Sequence, residues 1–401
     1  MPMNIVYLCA NYGLDLDKML GPKIHIQSIL RGLKLAGVNP TLITVQKSDS
    51  LKEYEEFETV ILPHRYMRGF VHRIIPYTGI IDSLRVFLKI IAINRTRHFA
   101  LIHERYTGLS WGGVLAAKFL RIPYILQMVG PGIEEKTLQM NPLKPSKRWL
   151  SLANQKLLIS NNNYLILNSK FIYSFIYNKR GWKLPHYSVI LNGSEIPAHI
   201  TSEEEITIRS LFNAQHKLLL LYSGSLYRWY GTFNLIRAFH LALTHNQDIK
   251  LIVIGYGDAE QGISKYISEN HLSGFIYLLK PLPHHELQKV IQAVDFCLVY
   301  YSGEITYFGS STKVTEYMAA GKPVISTPHM LEIIDDEVTG FISKTSSIKD
   351  FADKIIEVVT NPEQAKTVGE NAKAKIMSKF LWKHYIKKLM DIYQSLLNEI
   401  E

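Results

Sequence analysis

Apolar positions along this chain fall into one repeating rhythm. A short continuous apolar run is followed by a turn rich in Gly or polar residues, then by a segment with apolar residues three and four apart, then by another run. Runs without alternation mark strands buried on both faces, and the three-and-four spacing marks the helices that cover them. The rhythm predicts strands near 4–10, 41–46, 58–62, 99–103, 123–129, 163–168 and 186–191, with helices near 23–36, 80–94, 109–120, 146–159 and 169–180 between them. A second series predicts strands near 217–223, 249–254, 274–279, 295–300 and 323–326, with helices near 232–245, 259–270, 284–293, 311–320, 348–360 and 363–378. Alternation of this kind belongs to an α/β chain with parallel sheets.

The rhythm is interrupted at 192–215, where NGSEIP and a charged SEEE run intervene. Two doubly wound Rossmann-like domains are expected on either side, 1–195 and 196–379. The last segment, 380–401, places Leu381, Trp382, Tyr385 and Leu389 at helical spacing; periodicity leaves open which domain this helix covers. Doubly wound sheets bind ligands at the carboxyl ends of their strands, so the cleft between the domains is the expected site.

Composition narrows the class. A chain of 401 residues with 47% apolar and 20% charged residues suits two globular domains and excludes a disordered or fibrous protein. The two cysteines, Cys9 and Cys297, lie in apolar runs and read as buried thiols of a reducing compartment. The opening MPMNIVYLCA lacks a charged n-region, and no apolar stretch approaches the ~18–20 residues of a spanning helix. A cytoplasmic protein, soluble or peripheral on the inner face of a membrane, is expected. The charge is unevenly spread: residues 1–195 hold 25 Lys+Arg against 12 Asp+Glu, a net +13, whereas 196–401 hold 20 against 23, a net −3. Such asymmetry points the first half toward something anionic. Within it, 64–98 gathers Arg65, Arg68, Arg73, Arg85, Lys89, Arg95 and Arg97 with Phe70, Tyr77 and Phe87, and Asp82 is its only acid. This is a composition suited to an anionic headgroup layer.

The most informative stretch is 310–328, SSTKVTEYMAAGKPVISTP. Small hydroxyl residues lead into a helix whose first amides and positive dipole end suit a phosphate. Glu316, five residues past Ser311, is placed to accept hydrogen bonds from sugar hydroxyls beside that phosphate. Ser311, Thr312 and Glu316 are therefore read as donor-nucleotide contacts. Two further turns follow predicted strands in the same half. LYSGSLYRWYG supplies Gly224, Ser225 and the planar fork of Arg228, and IVIGYGD supplies Gly255 and Tyr256. IVIGYGD lacks the third glycine of a dinucleotide fingerprint. In the first half, GPKIH offers Gly21 and His25, HERY offers Glu104 and Arg105 at a strand end, and QMVGPGIEE offers Gly130 and Glu134. Glu104 and Arg105 are read evenly as an internal ion pair or as acceptor contacts. The Asp15-Leu-Asp17 spelling of D-x-D is discounted for want of supporting ligands. The fifteen histidines show no metal-binding spacing, so no metal site is expected.

These segments, in this order, resemble the GT-B glycosyltransferases of the large retaining family 4. The resemblance rests on GPKIH, HERY, RIPYILQ, LILNS, VILNGSEI, YSGSLYRWYGTFNLIRAF, LIVIGYGD, PLPHHELQKVIQAVDFCLV and the 310–328 block. It implies a GT-B fold, a sugar nucleotide held by the second domain, an acceptor held by the first, and a terminal helix that crosses back to the first domain. It also implies that Glu316 binds the nucleotide ribose, that the amides at Ser311 and Thr312 face the diphosphate, and that Gly224 is the glycine of the first phosphate loop. The chain departs from the family where Phe308 replaces the first motif glutamate and Val129 replaces a histidine. Ser225 and Tyr230 replace the expected Arg and Lys, which leaves Arg228 and Lys313 as the cations acting with Glu316 in catalysis. The expected reaction is metal-independent, cofactor-free sugar transfer from a nucleoside-diphosphate sugar to a lipid-linked or cell-envelope glycan. The expected partners are that donor, that acceptor and an anionic membrane surface, with nucleic acid not expected. Two alternatives stay open: a GT-B-type sugar-nucleotide epimerase, and an inactive subunit that binds membrane or nucleic acid.

Overall fold

The structure, a computed structural model, describes residues 3–10, 16, 20–46, 51–64, 78–106, 108–130, 132, 145–302 and 311–399. The chain divides into two compact units. One holds Met1–Asn192 and Trp382–Glu401; the other holds Gly193–Tyr307 and Ser311–Leu381.

The first unit is built on strands β1 (Met3–Cys9), β2 (Val38–Gln46), β3 (Glu58–Pro63), β4 (Leu101–Arg105), β5 (Tyr124–Met128), β6 (Tyr164–Leu167) and β7 (Tyr187–Val189). They form a parallel sheet in the order β3-β2-β1-β4-β5-β6-β7. The described helices are α1 (Leu20–Leu35), α2 (Thr78–Arg97), α3 (Gly112–Leu120), α4 (Pro145–Ser160) and α5 (Lys170–Ser174). The helix expected over 169–180 is split, because α5 passes into a π-helical turn at Phe175–Lys179. Consecutive residues of β1 serve opposite cores, as the pleat requires. Ile5, Tyr7 and Cys9 join one cluster with α1, while Val6 and Leu8 join another with Val86, Val114 and Ala117.

The second unit begins with α6 (Ser202–Leu211), and continues through β8 (Leu218–Ser223), α7 (Thr232–Leu243), β9 (Ile249–Ile254), α8 (Glu260–Glu269), β10 (Ile276–Leu279) and α9 (His284–Ala293). It is completed by β11 (Phe296–Val299), α10 (Thr312–Ala319), β12 (Val324–Ser326), β13 (Phe341–Ile342), α11 (Ile348–Val359) and α12 (Pro362–Lys379). Its parallel sheet runs β10-β9-β8-β11-β12-β13. Two elements depart from the sequence reading. The SEEE run is a helix rather than an interruption: Thr201 Oγ1 accepts from the Glu204 amide at 3.2 Å, and the Glu204 carboxylate accepts from the Thr201 amide at 2.9 Å. This reciprocal capping box satisfies two helix-end donors and starts α6. The two-residue β13 is too short to leave a hydrophobic pattern.

The terminal helix α13 (Trp382–Asn398) belongs to the first unit. Trp382, Tyr385, Leu389, Tyr393 and Leu396 recur at helical spacing and enter the cluster that holds Ile5, Tyr7 and Ile29. The helix lies close to α1, where a Cβ at Gly32 would collide with Ile386. Two phenols tie its inner face to the strands. Tyr385 accepts from Gln127 Nε2 at 2.6 Å, and the Tyr393 hydroxyl lies 2.6 Å from His103 Nδ1. Burial drives the His103 pKa down to about 3, so the ring is neutral.

On β4, His103 and Arg105 face α1 and α13, and Glu104 faces the other way. Gly113 of α3 leaves room for its carboxyl, which accepts from Tyr124 at 2.8 Å and from the Ser110 hydroxyl. Burial pushes the Glu104 pKa up to about 7 against these two donors. The folded state therefore holds this proton more tightly than the unfolded chain does. Its stability falls as pH rises from the ordinary carboxylate range through about 7, then levels off. Glu104→Gln is expected to remove that slope, gaining roughly 3 kcal/mol over the parent at pH 8 and little at pH 4.5. Urea denaturation across this range measures it; parallel curves for the two proteins at every pH would refute the assignment.

Candidate functional site

In the second unit, strand order reverses between β8 and β11, so the loops leaving these strands diverge and open a crevice at their carboxyl ends. Gly224 follows β8 with φ +142°, and a Cβ there would strike the Lys313 side chain. The Gly255 turn after β9 is equally tight, because a Cβ at that position would strike the Gly224 carbonyl. The two loops run backbone to backbone. Gly224 donates to Ile254 at 2.9 Å, Leu226 donates to the Tyr256 carbonyl at 2.8 Å, and the Arg228 amide donates to Asp258 at 2.8 Å. The Ser225 carbonyl accepts from the Tyr222 hydroxyl at 3.0 Å. Gly224, Ser225, Arg228, Gly255 and Tyr256 are thus brought to one rim, with the Arg228 and Tyr256 side chains exposed.

The start of α10 adjoins that rim. Ser311 is buried at its N-cap, its own side chain does not cap the helix, and the first turn contains no acid. The amides and positive dipole end of α10 suit an anion. Lys313, in that first turn, runs back over the Gly224 loop. Its Nζ lies 4.4 Å from the Tyr222 ring centre, 5.8 Å from that of Tyr301 and 3.4 Å from the Tyr222 hydroxyl. Burial opposes the charge, but Tyr222 and Tyr301 outweigh it and hold the pKa above the ordinary lysine value. Lys313 is a permanent cation at the sheet's reversal point.

Glu316, one turn further along α10, is engaged with a residue that has no signal in the sequence. Its Oε1 lies 2.9 Å from His284 Nε2, at the first position of α9. The bond to Glu316 raises the His284 pKa above the ordinary imidazole value, partly offset by burial. The other carboxylate oxygen has no partner among the described residues, and His284 fixes the direction in which it is offered. Thirty-two residues separate the pair, so no local pattern announces it. The same holds for the Tyr222–Tyr301 slot around Lys313, which only the adjacency of β8 and β11 creates.

In the first unit, reversal falls between β1 and β4. Arg105 ends β4, and its Nη1 lies 2.8 Å from His25 Nδ1 on α1. Glu104 makes no ion pair with Arg105 and is sealed away from ligands, because adjacent strand residues point to opposite faces. Gly21 is exposed in the first turn of α1, where a Cβ would meet nothing within 4 Å. Gly130 is half-buried in the bend after β5, next to Val129. Glu134, Phe308, Asp15 and Asp17 lie outside the described residues. Among the described residues, no group of three or more His, Cys, Asp or Glu side chains is arranged to hold a metal ion.

Residues 203–375 match the family described as Glycosyl transferases group 1. Over 248 residues the chain is 28% identical to the uncharacterized glycosyltransferase MJ1069 of Methanocaldococcus jannaschii, covering 61% of this chain and 61% of that protein. It is 25% identical to the uncharacterized glycosyltransferase MJ1178 of the same organism, covering 94% of this chain and 95% of that one. The Anabaena HepE structure in complex with UDP and glucose superposes with a TM-score of 0.72 at 15% identity, covering 98% of this chain and 100% of HepE. The fold is GT-B, and the family match with these relatives supports a place for the chain in the GT-B glycosyltransferase superfamily.

Proposed function

We propose that the protein is a retaining glycosyltransferase that moves a sugar from a nucleoside-diphosphate sugar to an acceptor hydroxyl without metal or cofactor. One observation carries this reading: Lys313 crosses the Gly224 loop beside the start of α10, at the reversal point of the second sheet. Amides, dipole and ammonium together suit a diphosphate, whose negative charge grows as it leaves the sugar. Arg228, exposed on the same rim, adds a guanidinium fork. Glu316, steadied by His284, offers its second oxygen to the ribose hydroxyls. Retention of configuration follows from the family 4 resemblance of the 310–328 block. UDP is the nucleotide to test first, since the HepE structure holds it.

The acceptor side of the proposal is a lipid-linked or cell-envelope glycan reached at an anionic surface. Ile80, Leu84 and Leu88 lie four apart on α2 and are 37%, 47% and 56% exposed, with Lys89 and Arg95 exposed beside them. Asp82, the one acid of that helix, is turned inward to His64 and Arg85. Among the described residues no helix is long and apolar enough to cross a membrane. The exposed row suits contact with a surface rather than insertion through it.

Three experiments test these statements. UDP is expected to raise the thermal midpoint of the parent by mass action, and Gly224→Ala to abolish the rise by forcing Lys313 aside. Glu316→Ala should cut transfer from a UDP-sugar by about 10- to 100-fold, the loss of a charge-assisted hydrogen bond. A parent whose midpoint ignores UDP, GDP, ADP and dTDP alike contradicts the donor assignment. On vesicles of phosphatidylglycerol in phosphatidylcholine, the parent should co-sediment and a Leu84→Glu, Leu88→Glu variant should stay in solution; equal partition of both would remove α2 as the contact.

A further inference from the structure

Arg105 is 6% exposed, and its one hydrogen-bond partner among the described residues is His25. A guanidinium carries five N–H donors, and a buried one is ordinarily met by a carboxylate. Among the described residues, the groups bonded to it and to His25 are neutral. Burial, and then Arg105 itself, drive the His25 pKa well below the ordinary imidazole value, so its Nδ1 accepts from the guanidinium. Tyr385, Gln127, Asn168 and Asn192 extend the same uncharged network, with Gln127 donating to Tyr385 at 2.6 Å and Asn168 to Asn192 at 2.6 Å. Glu104, the adjacent acid in sequence, is spent on the far face of the sheet with Ser110 and Tyr124.

The unused donors are not sealed in. No nitrogen of Arg105 is among the fully buried polar atoms that lack a partner. The guanidinium is thus recessed, charged and still reachable. It stands where β1 and β4 diverge, next to Cys9 by the parallel register, and His25 joins it to α1. The first turn of that sixteen-residue helix carries no acid, and Gly21 there opens onto free space. Through His25, one turn after Gly21, the guanidinium is tied to the first half of that helix, whose positive end lies on the same side. A cation held this way in a folded core is costly unless an anion completes it.

We infer that the carboxyl ends of β1 and β4 form a phosphate subsite, with Arg105 as its anchor, that takes a phosphate group carried by the acceptor. The assignment to the acceptor rests on the transferase reading above; the phosphate subsite itself does not. Arg105 contacts the anion, and His25 is a positioning residue that holds the guanidinium by accepting one of its protons. Among the described residues, neutral amides and a phenol surround the pair and no carboxylate occupies the place.

The full chain, saturated with UDP and held at constant ionic strength, is titrated with inorganic phosphate and followed by thermal midpoint and calorimetry. A further phosphate-dependent rise is expected in the parent and in Lys313→Ala, whose change lies in the other unit. Arg105→Gln should bind phosphate about tenfold more weakly or worse, and Arg105→Lys, with charge but no fork, should fall between. Arg105→Gln should also melt no lower than the parent in phosphate-free buffer, because an unpaired buried charge has been removed. No phosphate response in the parent, an equal response in Arg105→Gln, or a large loss of stability in that variant each overturns the proposal. If UDP fails to bind, the same comparison of Arg105→Gln with Lys313→Ala still decides the subsite, and only the donor reading falls. Glucose 1-phosphate and vesicles of phosphatidic acid then compete against inorganic phosphate. Arg105-dependent displacement by the first assigns a soluble phosphorylated acceptor, by the second a lipid-borne one, and by neither refutes the acceptor assignment.

Discussion

Each unit withdraws a cation from solvent that meets no carboxylate among the described residues, and the proposed site chemistry depends on that imbalance. Lys313 lies between the rings of Tyr222 and Tyr301; Arg105 lies against a neutral His25. Both stand where their sheet reverses order, between β8 and β11 and between β1 and β4. Parallel strands force this placement. Their connections all leave from one edge, and the reversal is where two neighbouring connections turn apart and leave strand ends uncovered. A charge placed there is withdrawn from solvent yet not enclosed, so it keeps affinity for an anion that an internal ion pair would have spent.

The three polar residues that end β4 show how fully the pleat decides chemistry. His103 and Arg105 share a face and therefore share α13, whose Tyr393 meets the imidazole. Glu104, between them in sequence, is turned to α3 and held as a largely protonated acid below about pH 7. Had all three faced one way, the carboxylate would have neutralised Arg105. The strand period keeps them apart, and the cation stays available.

Much of this was legible before any coordinates. Continuous apolar runs named the parallel strands, and the SSTKVTEYMAAG block located the start of α10 and its single internal acid. The alternation of Glu104 and Arg105 was also readable, since HERY lies at a strand end and period two separates neighbours. Other features had no local signal. His284 reaches Glu316 across 32 residues, and the Tyr222–Tyr301 slot exists only because β8 and β11 are adjacent. The α6 helix is a different case. Its Thr201–Glu204 capping box was present in the letters, but a charged run between two apolar series reads as a break unless the cap is sought.

The charge count of the first half understates its outward field. Of its acids, Asp82 is drawn inward by His64 and Arg85, Glu104 is buried and largely uncharged below neutrality, and Glu56 and Glu58 are taken up by Arg31 and Arg97. Lys89 and Arg95 meanwhile remain exposed on α2 beside Leu84 and Leu88. Two of these acids, Asp82 and Glu104, are internal, so the excess of Lys and Arg in this half acts on its surroundings as well as on solubility. A recessed guanidinium within such a field draws phosphate from solution over a longer range than contact alone provides. With the subsite proposed above, long-range attraction and short-range anchoring would select the same chemistry, an acceptor that bears negative charge.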